Sequence, residues 1–209
     1  TRFKQKFPYS SAVEAQYQFE GTNIDVENTT EQNQALSEIT NDWVANLNFK
    51  IMWKNAGVHQ LFNQSGVSIN RTPSNDASGK GVEVSRSTVT VNAVDVDQYG
   101  NVKKKTTAIT DDYGTYSTIE EGDYSQATDD WPNRYESRTV TRESVARTIK
   151  GISSVPAGTD TNKVVKTEVT WDLLLRKPAT VVVKKDGTQV ITTTNTAVSY
   201  THLRDHETS

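Results

Sequence analysis

Sixteen consecutive residues, Ala179 to Thr194, constrain this chain more than any other stretch: ATVVVKKDGTQVITTT sets two β-branched runs on either side of Asp186-Gly187. Asp and Gly tolerate the positive φ values with which a two-residue turn matches the twist of its flanking strands, so the stretch predicts a β-hairpin. A looser copy, VTVNAVDVDQYGNVKKKTT, runs from Val89 to Thr107 and turns at Tyr99-Gly100. The chain reads as one β unit built twice.

Composition agrees with a thin β architecture. Of the 209 residues only 33% are hydrophobic, and the mean hydropathy is −0.67. Val carries much of the apolar content, diluted by Thr, Ser, Asn and Asp, as suits sheets in which alternate residues face inward. With 23 basic and 26 acidic residues the formal charge is −3 and no long run of either sign occurs, which argues against a nucleic-acid partner. The absence of Cys excludes disulfides, thiolate metal sites and cysteine nucleophiles. No apolar run is long enough for a membrane-spanning helix, and TRFKQKFPYS at the start lacks both Met and a signal-peptide core, so the start is expected either to have been processed away or to lie inside a longer reading frame, the second being favoured by the other end.

The other end has a different character. Val198 to Thr208, VSYTHLRDHET, resembles translated sequencing-adapter read-through, differing at Asp205. On a helix His202 and His206 would share a face beside Asp205 and Glu207, superficially like a metal site. The adapter resemblance accounts for many more positions, so residues 198–209 are set aside as an adapter-derived tail. His59 is then the one remaining histidine.

Taken in order, residues 1–15 read as the end of a preceding unit or a linker, and Tyr17, Phe19, Ile24 and Val26 as a β stretch. Ala35, Leu36, Ile39 and Trp43 recur at three- and four-residue spacing after Thr30, which predicts one short helix near residues 31–45. Leu47, Phe49, Ile51 and Trp53 alternate with Asn46, Asn48, Lys50 and Met52 and predict a strand. SNDASGKG, Ser74 to Gly81, is a loop; Val82 to Val96 is a strand; Thr110 to Asn133 is acidic and irregular. Arg138 to Ile149 fits either a strand or a helical turn. Val164 to Leu175 is a clear strand, broken from the final hairpin by Lys177-Pro178.

Three markers recur in the same order. Asp42-Trp43 matches Asp130-Trp131 at 88 positions, Gly66 to Ile69 matches Gly151 to Ser154 at 85, and Tyr99-Gly100 matches Asp186-Gly187 at 87. They predict two units, residues 16–112 and 113–197, the second open to truncation by the tail. The hairpins Val94-Asp95-Val96-Asp97-Gln98-Tyr99-Gly100-Asn101-Val102 and Val181-Val182-Val183-Lys184-Lys185-Asp186-Gly187-Thr188 resemble those of bacterial immunoglobulin-like repeat domains of surface proteins. The resemblance implies an all-β fold of two tandem antiparallel Ig-like β-sandwiches, with Trp43 and Trp53 as core anchors.

No catalytic centre stands out. Gly57-Val58-His59-Gln60 forms no nucleophile elbow. Adjacent carboxylates occur at Asp111-Asp112, Glu120-Glu121 and Asp129-Asp130, where adjacency alone does not build a glycosidase pair. Asp95, Asp97, Asp111 and Asp112 are the candidate calcium ligands, set against a solvated acidic loop that protects an edge. Tyr113, Tyr116, Tyr124, Trp131 and Tyr135 are the candidate ligand-binding rings, set against ordinary packing.

The expected function is a non-enzymatic structural or adhesive module of a larger extracellular or surface protein, serving as stalk, spacer or binding domain. It would need no cofactor beyond calcium and would contact other domains of the same chain, with a glycan or protein as ligand. Ser74 to Gly81 and Thr110 to Asn133 are the exposed recognition loops of this reading. A virion structural protein, such as a phage tail or capsid decoration component, is the alternative, and an accessory carbohydrate-binding module is a third.

Overall fold

The computed structural model describes residues 2–3, 12–18, 35–47, 49, 60–73, 81–112, 114–146 and 163–195, with backbone alone at 2–3 and 144–146. These residues form an all-β antiparallel sheet whose eleven strands pair in chain order. The strands are β1 (Arg2–Phe3), β2 (Val13–Gln18), β3 (Ser37–Ala45), β4 (Leu61–Arg71), β5 (Glu83–Thr90) and β6 (Lys104–Asp111). They continue as β7 (Gly114–Asp123), β8 (Ser137–Ala146), β9 (Lys163–Asp172), β10 (Lys177–Lys185) and β11 (Thr188–Thr194). A meander of this kind needs only local connections.

The final hairpin forms as its dipeptide predicts. Asp186 and Gly187 have φ of 49° and 83°, the pair of positive values that a type I′ turn requires. Lys185 faces Thr188 and the ladder runs to Thr180 opposite Thr194, with a bulge after Val183. Asp186 also ties the turn to β9, since its Oδ1 accepts the Val164 N–H at 2.9 Å.

The upstream copy is looser than its sequence suggested. β5 and β6 do pair, Thr90 opposite Thr106, but thirteen residues separate them. That segment makes one 3-10 turn at Ala93–Asp95, a single bridge between Val96 and Val102, and a positive φ of 90° at Gly100.

Two tandem sandwiches are not shown. Each described strand is hydrogen-bonded to its neighbours in sequence, and the boundary between residues 112 and 113 falls in the turn of the β6–β7 hairpin, where Asp111 faces Gly114. β2 joins this sheet through Ala15, which pairs with both Arg2 and Thr40. Of the repeat markers, Asp42-Trp43 lies in a strand while Asp130-Trp131 lies in a turn, and residues 151–154 are outside the described residues. Trp53 and the second half of the predicted strand at 47–53 are also outside them, and Leu47 sits in a turn.

The predicted helix is a strand over Ser37–Ala45. Its three- and four-residue apolar spacing coexists with β-branched Ile39, Thr40 and Val44, and pairing on both sides decides the outcome: Ile39 faces Gln16 on β2 and Ser68 on β4. Two ladders outweigh a weak local helical preference. The same force turns most of Thr110 to Asp123 into β7 and makes Ser137–Ala146 a strand.

Burial is sparse. Only Ala12, Ala15, Ala35, Phe62, Ile69, Val91, Val96 and Val169 are buried among the described residues, and no polar side chain joins them. Phe62, Val91 and Val96 cluster with Val44 and Val102, seating the β5–β6 segment on the sheet. Elsewhere cross-strand pairs take over the work of a core.

Candidate functional site

Two segments cover one end of the sheet. Residues 91–103 connect β5 to β6, and residues 124–136 connect β7 to β8. Asp97 organises the first: its Oδ1 accepts the Tyr99 and Asn101 N–H groups, both at 2.8 Å, and its Oδ2 accepts Asn101 Nδ2 at 2.9 Å. Short Asp side chains favour such turns because they mimic the backbone acceptor. The two segments are then latched together, Tyr99 Oη donating to Asp129 Oδ1 at 2.8 Å and Asn101 Nδ2 to the Pro132 carbonyl at 2.6 Å.

The second segment is pinned by rings. Trp171 on β9 meets Trp131 at 4.9 Å and Tyr135 at 5.8 Å between centroids, with interplanar angles of 73° and 88°, and its Nε1 donates to the Tyr135 carbonyl at 2.7 Å. Tyr124 meets Tyr135 edge-on at 6.4 Å, and the Arg134 guanidinium lies 5.6 Å from the Trp131 centroid. Edge-to-face contact suits ring quadrupoles within a packed cluster.

Beside these segments lies a depression of about 270 Å³, open to solvent and lined by Val102, Lys105, Glu120, Glu121, Gly122, Tyr124 and Arg138. Its floor is an ion-pair triad on three adjacent strands: Lys105 Nζ lies 2.6 Å from Glu120 Oε1, and Arg138 Nη2 2.6 Å from Glu120 Oε2. Hydrogen bonds from Lys105 and Arg138 hold the Glu120 carboxyl below its ordinary pKa. Tyr124 forms the wall by folding over Gly122, where an added Cβ would stand 2.6 Å from Tyr124 Cε2. Any side chain at position 122 would push that ring away.

A second triad stands nearby. Glu168 accepts Lys184 at 2.6 Å and Lys166 at 3.0 Å, and its pKa too is lowered, by hydrogen bonds from Lys184 and then Lys166. Val140 pairs with Glu120 and Ser137 pairs with Glu168; these residues are three apart on β8, so the two carboxylates point to opposite faces.

The calcium candidates are not brought together. Asp95 and Asp97 lie in the covering segment before β6, while Asp111 and Asp112 follow at its far end, about 24 Å away along the strand. Asp95 Oδ2 accepts Asn92 Nδ2, Asp97 is engaged as above, and Asp111 Oδ1 accepts the Gly114 N–H at 3.0 Å. Asp95 moreover sits in a 3-10 turn, so it does not share a strand face with Asp97. Among the described residues no three metal-ligating side chains converge.

Of the five candidate rings, Tyr124, Trp131 and Tyr135 meet, joined by Trp171, which sequence reading left out because it lies some forty residues further on. Tyr116 stands on β7 six residues before Gly122, about 20 Å away. Tyr113, His59, residues 74–80 and the tail from 196 onward are outside the described residues. No family model matches the chain, and neither curated proteins nor solved structures gave a match. The fold and site define an all-β antiparallel meander with a charged depression on one face, walled by one residue from each connecting segment.

Proposed function

We propose that the chain is a non-enzymatic structural or adhesive module of a larger extracellular or surface protein, acting as stalk, spacer or binding domain. The observation that supports this reading is the build of the sheet: a chain-order meander whose two faces each carry a cation–carboxylate–cation triad rather than a continuous apolar layer. Ten strand spacings amount to about 48 Å of sheet counted from strand to strand, built with few buried side chains among the described residues. Extension and exposed loops serve a spacer or a binding module. Other domains of the same longer chain are its expected neighbours.

The alternative, a virion structural protein, draws on β11. TQVITTT is uncharged, rich in β-branched residues and exposed at every position, and among the described residues it pairs with β10 alone, leaving an edge suited to subunit contact. Sedimentation velocity separates the readings. A concentration-independent monomer is the expected result, and stable symmetric oligomers or filaments overturn it in favour of the virion reading.

A further inference from the structure

We propose that the depression between the two covering segments binds a single neutral sugar ring, seated against Tyr124 and Val102 above the Lys105–Glu120–Arg138 floor. The inference rests on the binding-domain form of the proposed function and names its ligand class.

Size comes first. A volume of about 270 Å³ lies just below the range of pockets for drug-sized ligands, which begins near ~300 Å³, and so suits one small ring. Charge narrows the class. Lys105 and Arg138 both donate to Glu120, while the next residue, Glu121, turns to the other face and pairs with Lys104, so each cation of the floor is already engaged by one shared carboxylate. An anion would compete with a carboxylate that is in place. A hydroxyl faces no such contest, because it accepts from the remaining N–H groups of Lys105 and Arg138 while donating to a free lone pair of Glu120.

The walls fit the rest of a sugar. The Tyr124 ring and Val102 offer apolar surface to the C–H face of a pyranose. Tyr124 is also held before any ligand arrives, by Tyr135 at its edge and by Gly122 beneath it. Such preorganisation lowers the ordering cost of binding. The Glu168 triad has the same kind of charge but points to the opposite face and lines none of this depression, which makes it an internal control.

The test is an amide-resolved NMR titration of the full chain with glucose, galactose, mannose and N-acetylglucosamine, and in parallel with sodium sulfate. At least one sugar is expected to shift the Gly122 and Tyr124 resonances saturably with a Kd of about 1–10 mM, while sulfate leaves them in place. Glu120→Gln uncovers two cations, so sugar binding should weaken about tenfold and sulfate should now bind. Glu168→Gln should leave sugar affinity within about twofold. Gly122→Ala displaces the ring and should weaken the sugar about tenfold, with near-UV circular dichroism reporting that the variant is folded. No saturable shift with any of the four sugars up to about 100 mM overturns the proposal. So does a wild-type preference for sulfate, or an equal loss in Glu120→Gln and Glu168→Gln. Those failures leave the sedimentation result standing, which separates this inference from the structural reading.

Discussion

The covered end around Trp171 and the open hairpin of β10 and β11 are built from the same backbone ladder, yet they hold their positions by different means. At the covered end a non-local ring cluster and interlocked segments shield the sheet, and Val169 beside Trp171 is buried. In the hairpin every residue of β11 is exposed, Val190 and Ile191 included, and order rests on the turn and on pairing. Shielding makes a site; pairing alone makes a surface.

The largest break in this comparison is expected from Trp171→Ala. It removes contacts to Trp131 and Tyr135 and the indole hydrogen bond, and should destabilise the protein by about 2–4 kcal/mol in urea denaturation. Trp171→Phe should recover most of that loss, lacking only the hydrogen bond at about 1 kcal/mol. An equal loss in both variants would mean that the indole bond, rather than ring packing, holds the covering segment.

Gly187→Ala probes the open hairpin. Nothing lies within 4 Å of the added Cβ, so the cost is that of placing an L-residue at a φ of +83°, about 1 kcal/mol. The loss should show as a lowered denaturation midpoint with the tryptophan environment unchanged. A change in tryptophan fluorescence in the folded state would mean that strain at the turn travels along β10 to Pro178, which pairs with Trp171 at the other end of the ladder.

The smallest effect concerns the two triads. Glu120 and Glu168 both have folded-state pKa values lowered by their cations, so each contributes stability above the unfolded Glu value of about 4.3 and loses it as pH falls through the folded value. Stability should therefore hold from neutral pH down to the ordinary carboxylate range and fall below it. Glu120→Gln should flatten that acid decline by a fraction of a kcal/mol, since its partners are partly solvated. Glu168→Gln should flatten it less, its side chain being 33% exposed against 24% for Glu120. Raised salt should shrink both differences.

Some of this was legible in the residues and some was not. The strands of 163–194 are rich in Val and Thr, and both neighbours in the ladder are local, so propensity and pairing agree there. β3 departs from its local pattern because Ala35, Leu36, Ile39 and Trp43 carry a helical period while the pairing that overrules it comes from β2 and β4, strands whose own pattern is weak. The acidic composition of 110–123 suggested irregular chain, but Thr106–Ile119, Lys105–Glu120 and Lys104–Glu121 oppose one another in register, turning those charges into cross-strand pairs. At the site, the crowding of Tyr124, Trp131 and Tyr135 was visible in the sequence. Their partner Trp171 and the floor of Lys105, Glu120 and Arg138 were not, because each residue comes from a different strand.

By itself the sequence determined the β class of the chain and the turn at Asp186-Gly187, since both follow from the φ and side-chain preferences of neighbouring residues. Tertiary structure alone decided that the strands join one continuous sheet, that residues 37–45 extend instead of coiling, and that Glu120 lines the depression while Glu168 points to the opposite face. Those outcomes depend on hydrogen-bond pairing and register between separate strands, which no local preference specifies.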